Sequence, residues 1–165
     1  RRVQLAARRP DLRFVELRGN MATRLAKSAD VDAVVVAAAA LDRLELADRI
    51  AERLEPSVLL PQVAQGALAV ECRVDDDVSL AALGAIDDVD VHRTVTAERA
   101  FLGALGGGCE LPVGALAALD GATVRMEALL AELDGSAIRR ATDADADPEA
   151  LGRRLAAALV ETDRP

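Results

Sequence analysis

The sequence predicts an α/β layer structure that ends in a small α+β domain, and three observations predict it. Residues 14–54 alternate strand, helix, strand and helix, the order of a layered α/β protein. Two Asp-Gly dipeptides, at 120–121 and 134–135, separate runs of alternating hydrophobicity, the short-range signature of antiparallel hairpins. After those runs Asp147-Pro148-Glu149 supplies an N-cap, a first-turn proline and a first-turn acid, so one more helix begins there.

In chain order, residues 1–9 read as the tail of a helix stopped by Pro10, which cannot continue one. Phe14-Val15-Glu16-Leu17 reads as a short strand. Asn20 is placed to cap a helix running through Thr23, Leu25 and Lys27. Asp32–Ala37 is an apolar, β-branched run of the kind found in buried parallel strands. Leu41, Leu44, Leu46, Ile50 and Leu54 mark the next helix. Pro56 and Pro61 bracket a connector, and Gln65–Arg73 reads as a turn followed by a strand that ends at Asp75-Asp76-Asp77. Ser79–Ile86 is a short helix. The acids of Asp87–Asp90 suit the positive end of a longer helix reaching about Leu105. The strand-like runs are then Val113–Leu119, Ala122–Leu133 and Ala137–Ala141, and the last helix packs Leu151, Leu155, Ala158 and Leu159. Residues 87–165 thus form a three-stranded antiparallel sheet covered by helices.

Composition narrows the function. The chain has 165 residues, 52% of them hydrophobic, enough for a core. Phe14 and Phe101 are the two aromatics, which argues against modules that stack nucleic-acid bases on aromatic platforms. No run approaches 18 uninterrupted apolar residues, so no membrane span is read. Cys72 and Cys109 do not make a disulfide framework, and a reducing cytoplasm fits them better. With His92 they show no metal-ligand spacing, so no metal site is assigned. His92 lies in the charged start of a helix and reads as a solvated surface residue. The chain opens Arg1-Arg2-Val3 without Met and is read as a piece of a longer protein.

The net charge of −8 is unevenly spread. Residues 1–24 carry Arg1, Arg2, Arg8, Arg9, Arg13, Arg18 and Arg24 against Asp11 and Glu16, a local +5. A compact cationic patch on an acidic chain fits a small polyanion better than nucleic acid. Arginine suits carboxylates, because its planar fork binds them bidentately and stays charged.

The second feature is Gly106-Gly107-Gly108-Cys109, between a predicted helix and a predicted strand. Glycines let the backbone take positive φ and let another molecule approach closely, and a thiol on such a loop can be reached. A helix-ending glycine cluster followed by a buried cysteine is the alternative reading. No Gly-Lys-Ser or Gly-Lys-Thr follows, so a phosphate loop is disfavoured. Cys72, in an alternating run, reads as a small buried hydrophobe. Glu98 and Arg99 read as structural, tying the helix before the cysteine loop to its neighbours.

These motifs, in order, resemble the porphobilinogen deaminase (hydroxymethylbilane synthase) family over the whole chain, which matches the family's C-terminal part. The carriers are Arg1-Arg2, Leu17-Arg18-Gly19-Asn20 with Thr23-Arg24-Leu25, Asp32-Ala33, Leu41 with Arg43-Leu44, Leu60-Pro61, Gln65-Gly66-Ala67-Leu68, Glu71-Cys72-Arg73, Ala97-Glu98-Arg99-Ala100, and Gly107-Gly108-Cys109 with Pro112. The resemblance implies a dipyrromethane cofactor on Cys109 through a thioether, beside Gly108. It implies that Arg1, Arg2, Arg18, Arg24 and Arg43 hold the acetate and propionate groups of cofactor and substrate. The implied reaction condenses four porphobilinogen molecules, with loss of ammonia, onto the growing polypyrrole and releases hydroxymethylbilane. The competing function is a non-catalytic polycarboxylate-binding module with a structural Cys109. Arg8, Arg9 and Arg13 match no binding position and read as surface.

The domains implied are residues 1–60, part of a central, truncated periplasmic-binding-protein-like α/β domain; 61–86, a connector returning to an absent N-terminal domain; and 87–165, the α+β domain carrying the cysteine. The family's catalytic aspartate falls outside this sequence, so the chain alone is expected to be inactive. The full-length enzyme is expected to be a cytoplasmic monomer with no nucleic-acid or membrane partner. Ala64 and Ala40 stand where the family usually has glycine.

Overall fold

The computed structural model describes residues 1–108 and 111–161. Its ordered centre is the C-terminal part. Strands β1 (Val113–Asp120), β2 (Thr123–Ala131) and β3 (Ile138–Asp145) form an antiparallel sheet in the order β1-β2-β3. Val113 pairs with Leu130 and Asp120 with Thr123, while Val124 pairs with Asp145 and Ala131 with Ile138. Both turns fall at the predicted Asp-Gly pairs, where Gly121 and Gly135 take φ of 59° and 79°, a conformation that costs other residues strain.

Helices α5 (Val89–Ala104) and α6 (Pro148–Glu161) cover one face of the sheet. The core between them contains Phe101, Ala115, Val124, Met126, Leu151 and Leu155. The opposite face carries a second cluster, Leu60, Leu129 and Ala131, packed by Val3 and Ile138. So the connector and α1 (Arg2–Arg8) lie across the back of the sheet. The alternation along β2 explains this two-sided burial: Val124, Met126 and Ala128 face the helices, and Leu129 and Ala131 face the connector.

The α1, α2 (Met21–Ala26) and α4 (Asp77–Gly84) helices fall where the sequence places them. Asn20 caps α2, its Oδ1 accepting the Thr23 N–H at 2.9 Å. Asp76 and Asp88 cap α4 and α5.

Three strands and part of a helix are corrected. Residues 14–17, 32–37 and 67–73 join no β-ladder; among the described residues the only strands are β1 to β3. Val15 and Val35 are exposed, as are Leu68 and Val70. A strand is stabilised by a hydrogen-bonding neighbour, and no described segment supplies one to these runs. The helix expected through Leu54 stops at Arg43 as α3 (Ala38–Arg43). Glu45 takes φ of 59°, and the Leu46 N–H reaches back to the Leu41 carbonyl. That is a helix-ending wrap, with Glu45 in the place glycine normally holds. Cys72 is exposed rather than buried, because none of the described residues covers its segment.

Candidate functional site

Arg1 and Arg2 share a cleft with Leu111, Pro112 and Val113, the residues that lead from the cysteine loop into edge strand β1. The α5 helix ends with Gly106 at φ 68°, the left-handed stop of a helix C-terminus. Past the glycines, the Leu111 N–H donates to the Gly108 carbonyl at 3.3 Å, which draws the two flanks of the loop together. Cys109 itself lies outside the described residues. Its downstream flank, Leu111, Pro112 and Val113, forms one wall of a cleft of about 210 Å³. Arg1, Arg2, Val3, Leu60 and Gln62 line the same cleft.

Local contacts fix this arrangement. The buried Gln4 side chain grips the connector as a strand would. Its Nε2 donates to the Leu60 carbonyl at 2.9 Å, and its Oε1 accepts the Leu60 N–H at 2.9 Å. The same Oε1 accepts from Arg140 Nη2 at 3.1 Å, which joins α1 to β3. One step further on, the Ala115 N–H donates to the Pro61 carbonyl at 3.0 Å. Arg1 Nη2 donates to Gln65 Oε1, and the Arg2 guanidinium stands 5.8 Å over the Phe14 ring. Gln4 was not identifiable from sequence: a glutamine beside arginines reads as solvated, and nothing local distinguishes it; Gln65 stood out only as part of the Gln65-Gly66-Ala67-Leu68 motif, with no role attached.

The other predicted cations do not line this cleft. Arg18 is exposed and pairs with Glu16 at 3.1 Å. Arg24 is partly buried and donates from Nε to the Gly19 carbonyl at 2.9 Å. Arg43 ends α3 on the surface. Arg8, Arg9 and Arg13 are exposed, as expected. A larger open groove, about 1150 Å³, runs between residues 66–70 and the outer face of α5. It contains none of the predicted arginines, so chemistry favours the smaller cleft.

Glu98 does tie the helix before the loop to its surroundings. It is 6% exposed, and its carboxylate accepts the Ala64 N–H at 2.6 Å and the Ala117 N–H at 2.9 Å. Burial pushes its pKa above the ordinary value, against the opposing pull of those two amides. His92 is solvated, 3.5 Å from Asp87. Among the described residues no group of three or more His, Cys, Asp or Glu is placed to hold a metal. No helix among them is long and apolar enough to cross a membrane.

Comparison with known proteins gives this cleft a context. Residues 1–81 match the family model described as porphobilinogen deaminase, dipyromethane cofactor binding domain, and residues 92–161 match porphobilinogen deaminase, C-terminal domain. The curated porphobilinogen deaminase of Roseiflexus castenholzii is 47% identical over 164 residues, covering 98% of this chain and 54% of its own. That of Syntrophotalea carbinolica is 48% identical, with coverages of 97% and 52%. That of Geobacillus kaustophilus is 47% identical, with coverages of 98% and 53%. The chain spans about half the length of the curated relatives it matches. With both of the family's domain models matched in order, and near-half identity sustained along the whole sequence, the chain belongs to the porphobilinogen deaminase family.

Proposed function

We propose that this chain is the cofactor-carrying part of a hydroxymethylbilane synthase. The observation that carries the reading is the meeting of Arg1 and Arg2 with the downstream flank of the Cys109 loop across one cleft. The residues fit a polycarboxylate tethered there: two guanidiniums, each a planar fork suited to carboxylates, share a cleft with the residues that follow the thiol. Cys109 holds dipyrromethane through a thioether, and Arg1 and Arg2 neutralise its acetate and propionate groups. When bound, that group is the primer onto which four porphobilinogen units are condensed with loss of ammonia before hydroxymethylbilane is released. Arg18, Arg24 and Arg43 serve the later units of the polypyrrole, and Gly108 keeps side-chain bulk away from the sulfur.

The reading extends to the parts of the molecule. Residues 1–60 belong to a truncated periplasmic-binding-protein-like α/β domain, 61–86 connect it onward, and 87–165 are the cysteine-bearing domain. The family matches over 1–81 and 92–161 support a division near that point. A net charge of −8 and two aromatic residues support the absence of a nucleic-acid partner. The protein is assigned to the cytoplasm and acts as a monomer on porphobilinogen.

Intact mass tests the proposal on a chain extended N-terminally to the relatives' length. The unmodified sequence is expected to carry a covalent dipyrrole and to consume porphobilinogen, and Cys109→Ser is expected to carry none. The 165-residue chain by itself is expected to leave porphobilinogen unconsumed. A Cys109 thiol found always free and alkylatable in the extended chain overturns the reading.

A further inference from the structure

Ala64 occupies a conformation that its side chain resists, with φ of 55°. Such a residue persists where its surroundings over-determine it. Here the agent is a buried carboxylate. Glu98 takes the Ala64 N–H at 2.6 Å, and with its second oxygen takes the Ala117 N–H of β1 at 2.9 Å. The turn so held continues at once: the Gln65 N–H donates to the Gln62 carbonyl at 2.9 Å, and the Ala67 N–H to the Ala64 carbonyl at 3.1 Å. Gln65 projects from this turn, and its Oε1 accepts from Arg1 Nη2. Arg1 in turn lines the cleft that Leu111, Pro112 and Val113 also line. Three places that are remote in sequence are thereby connected through two side chains, Glu98 and Gln65: α5, which leads into the cysteine loop; the connector turn; and Arg1, at the N-cap of α1.

We propose that Glu98 is a positioning residue: by gripping the amide of Ala64 it fixes the turn that presents Gln65 to Arg1, and so aims that guanidinium across the cleft. The chemistry requires an acceptor with two separate lone-pair oxygens, each satisfied by a main-chain donor. A glutamine in its place keeps one acceptor oxygen and brings an NH₂ against the other N–H, so one grip is lost. The same carboxylate holds β1, so the aim of Arg1 is referenced to the sheet that carries the far wall of the cleft. This deepens the functional reading above and rests on it for the identity of the ligand. The link from Glu98 to Arg1 does not depend on it.

The test reads the Gln65 side-chain carboxamide by NMR in the 165-residue chain. Arg1→Lys and Glu98→Gln are each expected to move this resonance toward its free-amide position. In the Glu98→Gln background, Arg1→Lys is expected to move it no further, because contacts acting in series are not additive. A Gln65 resonance indifferent to Glu98→Gln, or one that still responds fully to Arg1→Lys in that background, overturns the proposal. Should Glu98→Gln fail to fold, Arg1→Lys at the surface decides alone: an unchanged Gln65 carboxamide breaks the chain of contacts. In the extended protein, Glu98→Gln and Gln65→Ala are each expected to raise KM for porphobilinogen about tenfold, the loss of one charge-assisted contact, with the double variant no worse than the worse single one. Resonances that behave as stated in a protein that consumes no porphobilinogen sink the functional reading and leave the positioning role standing.

Discussion

Gly152 sits where α6 crosses α5. A Cβ built there falls 2.3 Å from the Ala97 carbonyl oxygen and 2.6 Å from the Phe101 nitrogen, both main-chain atoms. Two effects oppose each other. Helix propensity favours alanine over glycine by about 1 kcal/mol, whereas forcing atoms into a packed contact costs about 1–3 kcal/mol. The obstacle is backbone and cannot rotate aside, so overlap wins. Gly152→Ala is expected to lower stability by up to about 2 kcal/mol in urea unfolding; a gain would show that the helices part freely. Single residues were the least legible scale. Gly152 lies within a helical pattern, and only the crossing reveals its need. Cys72 was misjudged for a related reason: alternation assigns side chains to faces, but the covering of a face is decided elsewhere in the chain.

Among elements, those that carry their own partners were legible. The two hairpins and the Asp-capped helices follow from local chemistry, and so does the left-handed stop of α5 at Gly106. Segments 14–17, 32–37 and 67–73 are as apolar as strands but depend on neighbours that no local pattern announces. The attachment of α1 to the sheet depends on one such invisible contact, the two-way grip of Gln4 on Leu60. Gln4→Leu keeps the volume and strands a buried N–H and C=O, each costing about 1–3 kcal/mol. It is expected to destabilise the chain by about 2–6 kcal/mol and to speed hydrogen exchange at the Leu60 amide. An unaltered Leu60 amide would mean that the connector is held by packing alone.

The junction of β3 with α6 makes a different prediction. Arg154 Nε donates to Asp143 Oδ2 at 2.6 Å, and its Nη1 to Asp145 Oδ2 at 2.8 Å. Asp143 is held below the ordinary carboxylate range chiefly by that guanidinium. Asp145 is held there first by the Asp147 N–H and then by Arg154. A depressed folded-state pKa contributes stability that is complete above the unfolded value and is lost as pH falls through the folded one. Arg154→Met is therefore expected to melt below the parent at neutral pH. The gap should close as pH drops past the ordinary aspartate value toward the depressed ones. A gap that is constant with pH would show that Arg154 acts through its stem, not its charge.

At the scale of the whole molecule, stability is distributed as the hydrogen bonds and buried side chains are. Two helices against a three-stranded sheet hold most of the fully buried side chains, including Phe101, Met126, Val124 and Leu151. Between residues 10 and 58 the described structure offers short helical turns, exposed valines at 15 and 35, and Leu41 as its buried hydrophobic side chain. Local opening is favoured where few apolar groups must be exposed and few main-chain bonds broken. Amides of α5, β1, β2 and α6 are thus expected to exchange only through global unfolding. Those of α2 and α3 are expected to exchange about a hundredfold faster or more, which corresponds to a difference of roughly 3 kcal/mol. The arginines on this looser part, Arg18, Arg24 and Arg43, would then be less firmly placed than Arg1, which the Glu98 turn and the Gln4 grip tie to the stable sheet. Native-state exchange measured residue by residue decides it: equal protection in α2, α3 and α5 would show one cooperative unit, and the proposed difference between the two sets of arginines would vanish with it.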